Sequence, residues 1–140
     1  MSQLLLILAA ALVPGQSVPI DAALLAGLPV SSVSFEDHGK KSLCEGPSLA
    51  AVLGKLGAPS GEKLRGPLLA LTVTVRAKDG YEVAFSLGEL DASLGGETVI
   101  IATRCDGQDL APGIGPYRVV VPGDKRPARA VRMAASITLK

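Results

Sequence analysis

Residues 115–139 read G-P-Y-R-V-V-V-P-G-D-K-R-P-A-R-A-V-R-M-A-A-S-I-T-L. Tyr117 to Val121 is a short apolar strand, and Pro122-Gly123 ends it. A basic loop follows. In the closing segment Val131, Met133, Ala135, Ile137 and Leu139 alternate with Arg132, Ala134, Ser136, Thr138 and Lys140. Period-2 alternation predicts a half-buried strand with one wet face. From Arg118 onward there are six basic residues and one acid; before it there are eight basic and twelve acidic. The formal net charge of +1 therefore conceals a basic C-terminal segment.

Upstream, short elements alternate with tight turns. Ser17 to Gly27 predicts a strand and one helical turn. Val30 to Glu36 is a strand with Val33 and Phe35 on one face; Asp37-His38-Gly39 breaks it, and a second strand runs to Cys44. Ser48 is an N-cap, and Leu49, Val52, Leu53 and Leu56 form one helical stripe that Gly57 and Pro59 terminate. Leu68 to Arg76 predicts a strand, Asp79-Gly80 a hairpin turn, and Tyr81 to Phe85 the returning strand. Ser86 and Glu89 have capping-box spacing for a helix reaching Ser93. Thr98 to Ala102 is an apolar, central strand, and Asp106-Gly107 a further turn. Strands dominate and helices are few and short, which predicts an α+β fold with mixed sheets.

Composition excludes more than it identifies. A chain of 140 residues is one domain. Near-neutral charge argues against nucleic acid as a partner. Four aromatic rings and no Trp leave no stacking platform. One His and two Cys cannot build a four-ligand zinc site. Gly113-Ile114-Gly115 is followed by Pro116 and a strand, so it is not a dinucleotide loop. No G-x-S-x-G occurs, and His38 is the sole imidazole, which leaves hydrolase chemistry without a triad.

Leu4 to Val13 is an unbroken apolar run, too short to span a bilayer. It predicts a secretory signal over residues 1–16, a mature domain over 17–140 and a periplasmic or otherwise exported protein with no membrane span. Cys44 and Cys105 are either a disulfide, which an exported chain permits, or two buried thiols.

The segment from Gly115 to Leu139 resembles the closing part of the sulfite-oxidase-type molybdopterin-binding domain. There a strand with an Arg, a Pro-Gly turn and a basic stretch lead into the final strand. Phe35–Lys41 (F-E-D-H-G-K-K) sits at that family's ligand-bearing strand and loop. Cys44–Leu53 (C-E-G-P-S-L-A-A-V-L) is similar to its helix start, Asp79–Leu90 to its D-G-Y…F-S-L-x-E-L segment, and Ile101–Leu110 to its turn before the last strands. The likeness covers nearly the whole mature chain and points to the short exported members that stand as lone domains.

The resemblance implies a fold that holds a pterin–molybdenum cofactor, whose metal needs a Cys thiolate. The matching loop here is Glu36-Asp37-His38-Gly39, and neither Cys44 nor Cys105 occupies the ligand position. Lys40 and Lys41 stand where larger relatives have an Asn-Arg pair. Ala130 stands where short relatives have Trp in an A-R-W-V-R pattern. The expected function is therefore binding of a pterin or small anion without Cys-ligated molybdenum. The alternatives are a molybdopterin-dependent oxidoreductase with Glu36 or Asp37 as metal ligand, and a scaffold for a protein partner.

Asp37 and His38 are the sharpest local candidates, because strand-end loops carry sites and imidazoles carry protons. The resemblance implies that Arg118, Lys125, Arg126, Arg129 and Arg132 would face a pterin phosphate or an oxyanion, which a guanidinium binds through two parallel bonds. Arg104, after the central strand, is a further candidate.

Overall fold

The computed structural model describes residues 12–140. The expected signal core therefore lies outside the described residues, apart from Leu12 and Val13. Leu12 is buried, and its N–H donates to the carbonyl of Leu56.

Among the described residues ten strands and three short α-helices form an α+β fold. Strands β1 (Ser17–Pro19), β4 (Thr72–Ala77), β5 (Glu82–Ser86) and β10 (Ala134–Leu139) make one sheet, in the order β1-β10-β4-β5. Strands β2 (Val30–Asp37), β3 (Lys40–Pro47), β7 (Arg104–Cys105) and β8 (Gln108–Asp109) make a second, in sequence order. A two-stranded ribbon, β6 (Ile100–Ala102) with β9 (Arg118–Val120), lies between two hydrophobic clusters. Helices α1 (Ala22–Leu25), α2 (Leu49–Lys55) and α3 (Leu87–Leu90) join these parts.

Every pairing between these strands is antiparallel, which corrects the expectation of mixed sheets. A parallel pair needs a crossover that returns beside the strand it left. Here α2 carries the chain from the second sheet to the first, and α3 carries it from the first sheet to the ribbon.

The ribbon explains why residues 99–102 are uniformly apolar. Val99, Ile101, Val119 and Val121 belong to the large core with Phe85 and the helices. Ile100, Ala102 and Val120 belong to a small core with Phe35, Cys44 and Ala130. A strand buried on both faces reads as a continuous run. The run is central between two cores, although its sheet has only two strands. Gly46 of β3 crosses it so closely that a Cβ there would lie 1.9 Å from the Ile101 carbonyl oxygen.

Several elements differ from the sequence expectation, β3 running on to Pro47 and β6 starting at Ile100 among them, and three differences have a local cause. Gly66–Ala70 forms a 3-10 turn, with Pro67 fixing φ at its second position, so β4 begins at Thr72 and not Leu68. Helix α3 stops at Leu90 because Asp91 turns extended, its carboxylate accepting from the N–H groups of Gly61 and Ser93. In the last strand Met133 adopts φ 50° and the pairing shifts register between Ala134 and Ser136. Such a bulge reverses side-chain parity. Ala134, Ile137 and Leu139 are buried, where unbroken alternation had placed Met133 and Ala135 inward with Ile137 and Leu139.

Cys44 and Cys105 face each other across β3 and β7 and form a disulfide. The bond fits an oxidising compartment. Among the described residues no helix is long and apolar enough to cross a membrane.

Candidate functional site

The small core reaches the surface at one end of β2. Phe35 and Asp37 are two residues apart, so both lie on the same face of the strand. His38 and Gly39 then form a two-residue turn, both with positive φ (51° and 81°), which joins β2 to β3. Arg118, on the ribbon face that carries Val120, extends over this end of β2. Its guanidinium carbon stands 4.7 Å from the centre of the Phe35 ring. Its Nη2 donates to Asp37 Oδ2 at 3.0 Å and its Nε to the Ala130 carbonyl at 3.3 Å.

Arg118 is buried. Burial pulls its pKa below the ordinary value, and the hydrogen bond and charge of Asp37 oppose that shift. Arg132 supplies a second, half-exposed guanidinium, with Nη2 3.9 Å from Asp37 Oδ2. Asp37 Oδ1 is buried and has no hydrogen-bond partner. His38 Nε2 stands 3.3 Å from it, outside bonding geometry, on a side chain that is otherwise exposed.

These groups line a cleft of about 250 Å³ together with Asp79, Tyr81, Ala128 and Ala130. Asp79 and Tyr81 close its far wall. The Tyr81 N–H occupies Asp79 Oδ1 at 3.0 Å, and the Tyr81 hydroxyl donates to the Ala128 carbonyl at 2.6 Å. The sequence marked these two residues as turn and strand and as part of a resembling segment, not as site candidates. Nothing local to them signals that the β4–β5 turn meets Arg132.

The other candidates are placed differently. Lys125 and Arg126 line a separate cleft of about 710 Å³ with Glu36, and His38 stands on the ridge between the two. Arg104 lies 3.9 Å from Glu45 and donates to the Gly107 carbonyl, so it braces the β7–β8 turn and joins neither cleft. Lys40 lines a third cleft, with Asp37, Arg118 and Cys105.

Arg129 turns away from the cleft. It stacks 4.5 Å above Phe85, takes both oxygens of Asp124 at 2.9 Å, and reaches Glu89 at 3.3 Å and the Ala84 carbonyl at 3.2 Å. The bond to Asp124 raises its pKa above the ordinary value, burial opposes this, and Glu89 adds to the rise.

A Cys-ligated molybdenum does not fit these residues. Both sulfurs are spent in the disulfide, and Cys44 is fully buried. Among the described residues no three His, Cys, Asp or Glu side chains gather to hold a metal ion. The cleft offers two guanidinium groups, one imidazole and one unpaired carboxylate oxygen. Such a set of groups is chemically suited to a small polar anion. No family model matches the chain, and a search of curated proteins finds no match to it.

Proposed function

We propose that this chain is an exported, single-domain protein with the sulfite-oxidase type of molybdopterin-binding fold, and that it binds a small anion without Cys-ligated molybdenum. The fold assignment rests on the order of the resembling segments. The binding assignment rests on the convergence of Arg118, Arg132, His38 and Asp37 on one cleft. Arg132 is the guanidinium that a ligand reaches first, because Arg118 is buried against Asp37 and the Ala130 carbonyl while the Arg132 side chain is half exposed. A cleft of about 250 Å³ suits an ion of a few heavy atoms; drug-sized ligands take about 300–1,000 Å³.

A pterin is the second reading. The cleft of about 710 Å³ beside the His38 ridge has the volume for it, and Lys125 and Arg126 would take its phosphate. Export is supported by the disulfide and by the apolar run at residues 4–13.

One preparation tests these readings. Protein made in a host that synthesises the cofactor is assayed for molybdenum and released pterin, and titrated calorimetrically with inorganic phosphate. Saturable phosphate binding without stoichiometric molybdenum is expected. Released pterin at one equivalent would favour the second reading, and stoichiometric molybdenum would overturn both.

A further inference from the structure

A buried carboxylate oxygen without a hydrogen-bond partner is rare in folded proteins and destabilising. Asp37 Oδ1 is such an atom. Its sister oxygen is engaged by Arg118 at 3.0 Å, so the carboxylate cannot rotate to satisfy Oδ1 without breaking that bond. What Oδ1 lacks is a proton donor.

The donor's carrier is constrained by its surroundings. Arg118 and Arg132 both stand beside the carboxylate, and His38 stands at its free oxygen. A cation is disfavoured beside two guanidinium groups. Asp79, the other carboxylate on the cleft, already accepts from the Tyr81 amide. The remaining choice is a ligand that presents an O–H to Asp37 and negatively charged oxygens to Arg132, a few ångströms apart. A protonated oxyanion has this pattern on one central atom. Access to Oδ1 requires only that the exposed His38 ring, at the tip of a two-residue turn, rotate aside.

We propose that the cleft selects oxyanions that keep a proton at neutral pH, of the hydrogenphosphate or bicarbonate class, and rejects fully ionised ones such as sulfate. The inference rests on the anion-binding reading above and adds its specificity. Asp37 both attracts and rejects: it accepts a hydrogen bond from the ligand's O–H, and it repels an oxygen that carries no proton. A hydrogen bond to a charged group, set against an unpaired charge, corresponds to a difference of roughly ten- to a hundredfold in affinity.

The test is calorimetric titration of the full chain with inorganic phosphate and with sulfate at equal ionic strength and near-neutral pH. Phosphate is expected to bind at least about tenfold more tightly than sulfate. Asp37→Asn keeps an oxygen for Arg118 and puts an amide N–H where Oδ1 was, so sulfate should bind this variant as well as phosphate does or better. Equal affinities in the unaltered protein would overturn the selectivity and leave anion binding standing. Binding of neither ion would overturn the anion-binding reading itself. Because the comparison of the two ions uses the unaltered chain, it holds even where Asp37→Asn folds poorly.

Discussion

Each of the two cores holds an arginine stacked on a phenylalanine, and the two arginines are finished differently. In the large core Arg129 lies over Phe85 with both oxygens of Asp124, Glu89 and a backbone carbonyl around it. In the small core Arg118 lies over Phe35 with one oxygen of Asp37 and one carbonyl, while the other Asp37 oxygen has no partner. Similar parts thus serve two ends. A fully satisfied ionic nest rigidifies the fold, whereas a partly satisfied one beside a cleft leaves bonds for a ligand. The small core, which has few apolar residues, is also the one that the disulfide staples.

The largest effect separating the two cores should come from that staple. Replacing both Cys44 and Cys105 by Ala releases a loop whose ends are 61 positions apart, with a loss of about 4 kcal/mol in the chain-entropy model. Denaturant unfolding reads the loss. Amide exchange should rise first in β2, β3, β7 and β8, while β4 and β10 keep their protection. Faster exchange in all strands alike would mean that the cores are one unit.

Arg129→Ala comes next. It strands Asp124 and Glu89, each about a quarter to a third exposed, and removes the stack on Phe85. The expected cost is about 2–4 kcal/mol, less than for a fully buried pair because of that exposure. Phosphate affinity per folded molecule should not change. A loss of affinity with little loss of stability would reverse the roles assigned to the two arginines.

Arg118→Met probes the other nest. Removing a buried partner leaves Asp37 without its counter-charge, so a stability loss of about 1–3 kcal/mol is expected together with loss of binding. Arg132→Ala should act on the ligand alone. Its side chain is 52% exposed and its only described ion pair is at 3.9 Å, so stability should stay within about 0.5 kcal/mol. Phosphate affinity should fall by about tenfold. Unchanged affinity would move the ligand away from this cleft.

The same contrast shows what the sequence could disclose. Features set by neighbours along the chain were legible: the Ser48 cap, the capping box of Ser86 and Glu89, and the turns at His38-Gly39 and Asp106-Gly107. Each depends on residues within one turn. The parity of the last strand was not legible, because a single bulge near Ala135 overrides the alternation. Asp37, Arg118 and Arg132 stood out by residue type and by the resemblance. Their meeting did not, since Asp37 and Arg118 are 81 positions apart. Arg129 looked like one more basic residue of a charged segment. Its inward course depends on Glu89, 40 positions away, and no local pattern reports that. The disulfide was one of two open readings until the register of β3 and β7 placed the two cysteines opposite each other.

The most direct measurement follows the arginine Nε–Hε resonances of the folded protein by NMR during titration with phosphate. The signal of Arg132 should move saturably, and that of Arg118 should follow through Asp37, while that of Arg129 stays still. Movement of Arg129, or an unmoved Arg132 at saturating phosphate, would contradict the assignment of the small core to the ligand and the large core to the fold.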